Sequence, residues 1–223
     1  MVQMTEPLVI FGNGQMAELD LARFRRDARY RVVGFTVDRS LAHETRFRDL
    51  PLVPFDEVDR HFPADSVRMF IGVGPVQANR IRAERFLQAR QRGYRFASYV
   101  SPHARVDPEA VIGEHCSIGE DAIVGPYTRI GDNVRISAAG IVGHHCLLED
   151  HCYLGSGCVV GGSVRVGARA FVGLNATVRD RLVIGEGSVI GAGATLVRDA
   201  APGSVHAAPD TVLIPISADR LKL

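Results

Sequence analysis

No low-complexity tract, no surplus of charge of one sign and no paired C-x-x-C spacing occurs in this 223-residue sequence, and each absence removes a class of function. The N-terminal apolar run "PLVIF" is too short for a signal-peptide core or a spanning helix, and it runs straight into "GNG". The expectation is a cytoplasmic protein. With a formal net charge of +1 there is neither a basic stripe for nucleic acid nor a basic amphipathic segment for a membrane surface. Small-molecule partners are expected instead. Cys116, Cys146, Cys152 and Cys158 match neither a disulfide framework nor a zinc site by their spacing. What is present is 46% hydrophobic content, enough for a sizeable core in one or two domains.

The informative feature is a repeat. In steps of six the chain carries Val106, Ile112, Ile118, Val124, Ile130, Ile136, Val142, Leu148, Leu154, Val160, Val166, Val172, Val178, Ile184, Ile190 and Leu196, with no step missed. Glycine usually follows the aliphatic, and the residue two places before it is mostly small. A period of six suits neither a helix at 3.6 nor an alternating strand at 2, so each hexad is read as a short strand plus a turn. The chain then coils on itself around a narrow interior, with glycine relieving the backbone at each bend. All four cysteines fall at the small interior position, where each serves as a compact apolar filler.

Residues 1–100 read differently. "PLVIFGNGQMAELDLARF" is an apolar strand, a glycine turn and a helix, followed by the strand "RVVGFTVD" and then by "MFIGVG", a helix over "VQANRIRAERFLQARQRG" and the strand "YRFASYV". Alternating strands and helices argue for a small parallel α/β, Rossmann-like domain. Gly12, Gly14 and Ala17 stand at G-x-G-x-x-A spacing, and Asp38 follows the second strand. Such a turn holds phosphate oxygens on backbone N–H groups at a helix N-terminus. A tight strand-to-helix turn with no ligand has the same spacing.

The hexads over residues 104–198 resemble the left-handed parallel β-helix acyltransferases. The whole chain resembles the sialic acid O-acetyltransferase (NeuD)-like family, which includes bacterial N-acetyltransferases of nucleotide-linked amino sugars. The resemblance rests on "VIFGNGQMAE", "GVGPVQANRIRAE", "SYVSPHARV", "VGLNATVRD" and "IGAGATLVRD". It implies an α/β nucleotide-sugar-binding domain at 1–100, a left-handed β-helix at 101–198 and a tail at 199–223 that contributes to the coenzyme A site. It also implies a homotrimer with sites between subunits.

With three hexads per coil, as in that family, residues 18 apart stack about 4.8 Å from one another. His144 then lies below Gly162. The resemblance gives His144 the place of the catalytic base and Gly162 that of the glycine near the thioester carbonyl. Neutral imidazole would take a proton from the acceptor as it attacks acetyl-CoA, with a backbone N–H on the oxyanion and no covalent intermediate. Two family features are absent: the acidic neighbour of the base is His145, and the second, acetyl-facing histidine is Tyr153. An adjacent carboxylate would raise the imidazole's basicity and fix its tautomer; His145 is expected to supply neither effect directly, leaving Glu149 or a group from another subunit as the replacement. A pair of solvated turn histidines is the alternative reading of these residues.

By the same resemblance, Gly173, Leu174, Gly191, Ala192 and Gly193 line the pantetheine arm of coenzyme A, and Pro209 lies near the adenine end. Gly12, Asn13, Gly14, Gln15, Asp38 and Gly74 are the candidates for the nucleotide sugar, with Asn79 and Arg80 as weaker ones. No metal is expected. Competing functions are a sugar O-acetyltransferase of the sialic-acid type, a zinc enzyme of the γ-carbonic-anhydrase kind and a catalytically silent sugar-binding protein. His115, His144, His145 and His151 offer the zinc enzyme no histidine pair of its spacing.

Overall fold

The computed structural model describes residues 5–211. Its N-terminal part is an α/β domain whose elements are β1 (Glu6–Phe11), α1 (Gln15–Arg26), β2 (Tyr30–Val37), β3 (Arg46–Phe47), β4 (Leu50–Pro54), α2 (Val58–His61), β5 (Arg68–Ile71), α3 (Arg80–Gln91) and β6 (Arg95–Phe96). The sheet order is β3-β4-β2-β1-β5-β6, parallel except for the β3–β4 pair. Strand β1 reads as a continuous apolar run because both faces of the sheet are covered. Leu8 and Ile10 pack with Phe24, Phe35 and Phe70, whereas Val9 and Phe11 pack with Met69, Ile71 and Phe86 on the other side. The order reverses between β1 and β5, so their carboxyl ends open a crevice, the usual ligand position of such sheets.

Helix α3 begins later than its sequence predicts. Gln77, Ala78 and Asn79 adopt left-handed φ of 51°, 48° and 64° and only Arg80 opens the helix. The cause is tertiary: Asn79 is wholly buried, and its amide donates to the carbonyls of Arg169 (3.0 Å) and Ala170 (3.2 Å) in the second domain.

That second domain is a three-faced parallel β-helix. Each strand pairs in register with the strand 18 residues on, as Ser117 with Arg135, Ile123 with Ile141 and Arg129 with Leu147. Face one runs in strands from Tyr99–Val100 to Val205–His206, face two from Arg105–Val106 to Thr195–Leu196, and face three from Val111–Ile112 to Val183–Ile184. From Ile118 to Leu196 the six-spaced aliphatics are buried, while Val106 and Ile112 in the opening coil are partly covered. The prism therefore begins at Tyr99 rather than 101. Residues 199–206 extend it instead of forming a separate tail, because Val189 and Gly191 bond backbone to Ser204 and His206 although the hexad pattern has ended. The remainder of the predicted tail, 212–223, lies outside the described residues.

Turn geometry corrects the expected role of glycine. The left-handed residue is the third after each aliphatic, with φ between 52° and 69° at every hexad from His115 to Gly193, and most of these residues are not glycine. The glycines directly after the aliphatic answer a different need, close stacking of coils. A Cβ on Gly143 would lie 2.7 Å from the Gly162 nitrogen, and one on Gly173 2.6 Å from the Ala192 nitrogen. The cysteines are interior as predicted. Cys146 and Cys152 each point Sγ at a carbonyl 3.1 Å away, and burial pushes the Cys116, Cys152 and Cys158 thiols up to about 12.

Candidate active site

His144 and His145 sit at the corner between faces two and three, in the turn from Ile141–Val142 to Leu147–Leu148. Thr128 of the preceding coil holds this turn, donating to the Gly143 carbonyl (2.7 Å) and accepting from the Cys146 N–H (3.2 Å). In the next coil Gly162 stacks against the imidazole: a Cβ there would stand 2.6 Å from Nε2 of His144. The predicted His144–Gly162 juxtaposition is present.

The expectation that His145 does not fix the tautomer of its neighbour directly does not match the geometry. Nδ1 of His144 and Nδ1 of His145 are 3.1 Å apart, a hydrogen bond in which one nitrogen carries the proton and the other accepts it. His145 adopts φ 55°, its N–H bonds the Pro126 carbonyl (2.9 Å), and its ring stacks on Tyr127 at 4.8 Å. Glu149, the proposed substitute partner, is engaged elsewhere, accepting from Arg165 (2.7 Å) and the Ala168 N–H (3.0 Å). Tyr127 was missed by the sequence reading. Its signal was available: it lies 18 residues before His145.

Gly173, Leu174, Gly191, Ala192 and Gly193 are brought together at another corner, between faces one and two. Gly193 bonds the Leu174 carbonyl (2.8 Å), and Leu174 stays exposed. Beside them His206, Ala207, Ala208 and Pro209 close a cavity of about 500 Å³ with Gly193, Ala194, Thr195 and Leu196. Tyr153 lies on face one, tilted against Phe171 at 5.7 Å. Within one chain, then, Tyr153 and the glycine corner are separated from His144 by the width of face two.

In the α/β domain Gly12, Asn13, Gly14 and Gln15 link β1 to α1 at the carboxyl edge of the sheet, and Gly74 approaches Met16 from the loop after β5. These candidates share the crevice. Gly12 has φ 122°, and a Cβ on it would meet the Gly72 carbonyl oxygen at 2.9 Å. Its requirement is therefore structural. A Cβ on Gly14 would meet nothing within 4 Å, leaving the N-terminus of α1 open. A cavity of about 240 Å³ lies between α1 and face one, with Met16, Leu19 and Arg23 on one side and Ser137, Tyr153 and Ser156 on the other.

Two predicted acceptor ligands are bonded within the protein. Both carboxylate oxygens of Asp38 accept from Arg85, at 2.9 Å each, which fixes the carboxylate while leaving each oxygen a further lone pair on a side chain that is 32% exposed. Asn79 is sealed against the prism, as described above, and its Oδ1 accepts from Arg82 (3.1 Å). Arg80 is exposed, beside Glu84 and Gln77.

The domain seam holds a polar network that the sequence reading did not anticipate. Arg135 pairs with Asp20 at 2.6 Å, both essentially buried, and Arg23 pairs with Glu120 at 3.1 Å. Arg82, wholly buried, has no carboxylate partner among the described residues and points its guanidinium at carbonyls of Asn133, His151 (2.8 Å) and Cys152 (3.1 Å). Burial, with the Arg135 charge, lowers its pKa to about 9. His115 and His151 stack two coils apart with Asn133 between them, at 2.9 and 2.8 Å. Burial and the nearby arginine charges hold His115 well below the usual histidine range, and burial followed by the Arg82 charge lowers His151 to about 4. Among the described residues no three His, Cys, Asp or Glu side chains form a metal-binding group, and no helix is long and apolar enough to cross a membrane.

Comparison with known proteins agrees with this architecture. The GMPPB C-terminal domain family matches residues 97–194. No curated protein matches the chain by sequence. Perosamine N-acetyltransferase (PerB) from Caulobacter crescentus, solved with CoA and GDP-perosamine, is 26% identical with a TM-score of 0.82 over 92% of this chain and 95% of its own. The acetyltransferase domain of PglB from Neisseria gonorrhoeae FA1090, solved with acetyl coenzyme A, is 22% identical with a TM-score of 0.81 over 92% and 97%. WeeI from Acinetobacter baumannii AYE is 17% identical with a TM-score of 0.77 over 90% and 96%. In its unbroken six-residue period, its three-faced prism and its preceding α/β domain, the chain is similar in architecture to PerB along nearly the whole of both chains.

Proposed function

We propose that this protein is an acetyl-CoA-dependent acetyltransferase acting on a nucleotide-linked amino sugar for surface glycan synthesis. The observation that carries the proposal is the likeness to PerB, an enzyme solved with both CoA and GDP-perosamine, extending across both domains at once. The α/β domain is Rossmann-like in role: its open α1 N-terminus and the Gly12–Gln15 turn receive the diphosphate, with Gly74 across the crevice. The coil is left-handed, and the glycine corner with the 206–209 loop receives coenzyme A. Acetyl-CoA supply places the reaction in the cytoplasm.

His144 is the general base. With His144 donating from Nδ1 to Nδ1 of His145, the Nε2 of His144 keeps its lone pair and faces the Gly162 backbone. The acceptor amine attacks the thioester carbonyl as Nε2 removes its proton, and the collapsing intermediate releases the coenzyme A thiolate, which takes up a proton. A backbone N–H at the Gly162 corner stabilises the oxyanion. Because the base and the coenzyme A corner lie at different edges of one prism, a complete site takes one edge from each of two copies, and the assembly is a homotrimer.

The test is release of free thiol from acetyl-CoA in the presence of a panel of UDP-, GDP- and dTDP-linked amino sugars and their hydroxyl counterparts. Acetylation of one amino form, and not of the free sugar, is the expected result. Turnover only of a hydroxyl form would assign the protein to sugar O-acetylation, and no thiol release with any of them would remove the enzymatic reading.

A further inference from the structure

Strand β5 ends at Ile71, where its neighbour β6 has already stopped: Met69 pairs with Phe96, and nothing in the sheet faces the next position. In a strand the N–H and C=O of one residue point to the same side, so Ile71 presents two unpaired backbone groups at that edge. Two side chains of the prism take them up. The Ile71 N–H donates to Nε2 of His115 at 2.7 Å, and its carbonyl accepts from Nη2 of Arg135 at 3.1 Å.

The same arginine also grips Asp20 on α1, the helix that starts at the glycine turn. Ile71 leads directly into Gly72, whose N–H bonds the Phe11 carbonyl (2.8 Å) and whose α-carbon is so tightly seated that a Cβ would lie 3.0 Å from Ala17. Both walls of the crevice are thus tied to prism residues on and beside face one. Arg135 is the register neighbour of Tyr153 on that face.

We infer that His115 and Arg135 are positioning residues that set the acceptor-binding edge of the α/β domain in fixed register with the prism, so that binding of the nucleotide delivers the sugar to the transfer site. The inference rests on the proposed function for its catalytic consequence and on the geometry alone for the clamp. His115 suits the task because it must accept and donate at once. Nε2 accepts from Ile71, which places the proton on Nδ1, and this donates to Asn133 Oδ1. The ring is held at 4.5, 5.3 and 5.2 Å from Phe70, Phe86 and Phe96.

His115→Phe keeps the ring stacking and removes the acceptor. In this variant, amide hydrogen exchange at residues 71–74 should rise by about tenfold or more while exchange inside the prism is unchanged. Binding of GDP or UDP alone, by calorimetry, should stay within about threefold, whereas kcat for the nucleotide sugar should fall by about tenfold or more and KM for acetyl-CoA should not move. The double variant Asp20→Asn/Arg135→Met, which removes the buried charges together, should give the same split. Unchanged exchange at 71–74 would overturn the clamp even if no nucleotide sugar is turned over by the wild type. Equal losses in nucleotide binding, acetyl-CoA KM and kcat would show general destabilisation and overturn the positioning role.

Discussion

The Nε2 of His144 lies so close over Gly162 that a single added methyl on that glycine would stand 2.6 Å from it. The contact joins a side chain of one coil to the backbone of the next, and it makes Gly162 a gauge of the proposed base. Gly162→Ala should displace the imidazole and lower kcat by about tenfold or more, and His144→Ala should lower it by about 100-fold or more. Both variants should retain the wild-type circular dichroism spectrum. Full activity in Gly162→Ala would remove Nε2 from the reacting centre.

The hydrogen bond between the two imidazoles predicts an asymmetric response at position 145. His145→Ala folds, since Ala139 adopts the same φ of 55° in the preceding corner series. It should lower kcat by about tenfold with KM values unchanged, because the tautomer of His144 is no longer held. His145→Asn suits a left-handed position and offers an oxygen acceptor, so it should recover part of the loss. If Ala and Asn behave alike in steady-state kinetics, the bond has no catalytic consequence.

Gly12 and Gly14 look equivalent in sequence and should part company on substitution. At Gly12 the φ of 122° and the Gly72 carbonyl exclude a side chain, so Gly12→Ala should lower the melting temperature by several degrees, following a loss of about 1–3 kcal/mol. At Gly14 the space is free, and Gly14→Leu should melt normally while raising KM for the nucleotide sugar far more than KM for acetyl-CoA. An unchanged acceptor KM would separate the turn from acceptor binding.

Acid should loosen the seam before it unfolds the prism. His115 and His151 are held neutral, their folded pKa values lying below the unfolded value of 6.5, that of His151 at about 4. Below 6.5 the unfolded chain binds more protons than the native one, so the stability these residues contribute is present above that pH and is lost as pH falls towards 4. The melting temperature should therefore decline between pH 7 and pH 4, and His115→Phe should flatten the decline. Identical pH profiles for variant and wild type would contradict this assignment.

Assembly is checked by mass. Sedimentation equilibrium or light scattering at micromolar concentration should give three times the 24.2 kDa chain mass, and a monomer would leave His144 without its coenzyme A corner.

The six-residue period by itself determined a coil of short strands around an aliphatic interior, because a fixed repeat converts sequence separation into spatial position; that three hexads close one turn, and so that His144 stacks on Gly162 18 residues on, came with the family resemblance and is met by the strand register. The alternation of apolar strands and helical segments likewise determined an α/β domain and the placing of Gly12, Gly14 and Gly74 at one edge. Whether His145 would partner His144 was not legible, since neighbours in sequence can point apart, and only the left-handed φ at position 145 turns the two Nδ1 atoms towards each other. The fates of Asp38 and Asn79 were decided by partners 47 and some 90 residues away, Arg85 and the Arg169–Ala170 carbonyls. Arg135 falls at an outward strand position that the repeat treats as solvent, yet it is buried with Asp20 because the α/β domain lies across that face. Hydrogen-bond and charge pairing between domains has no period, so it becomes visible only once the two folded surfaces meet.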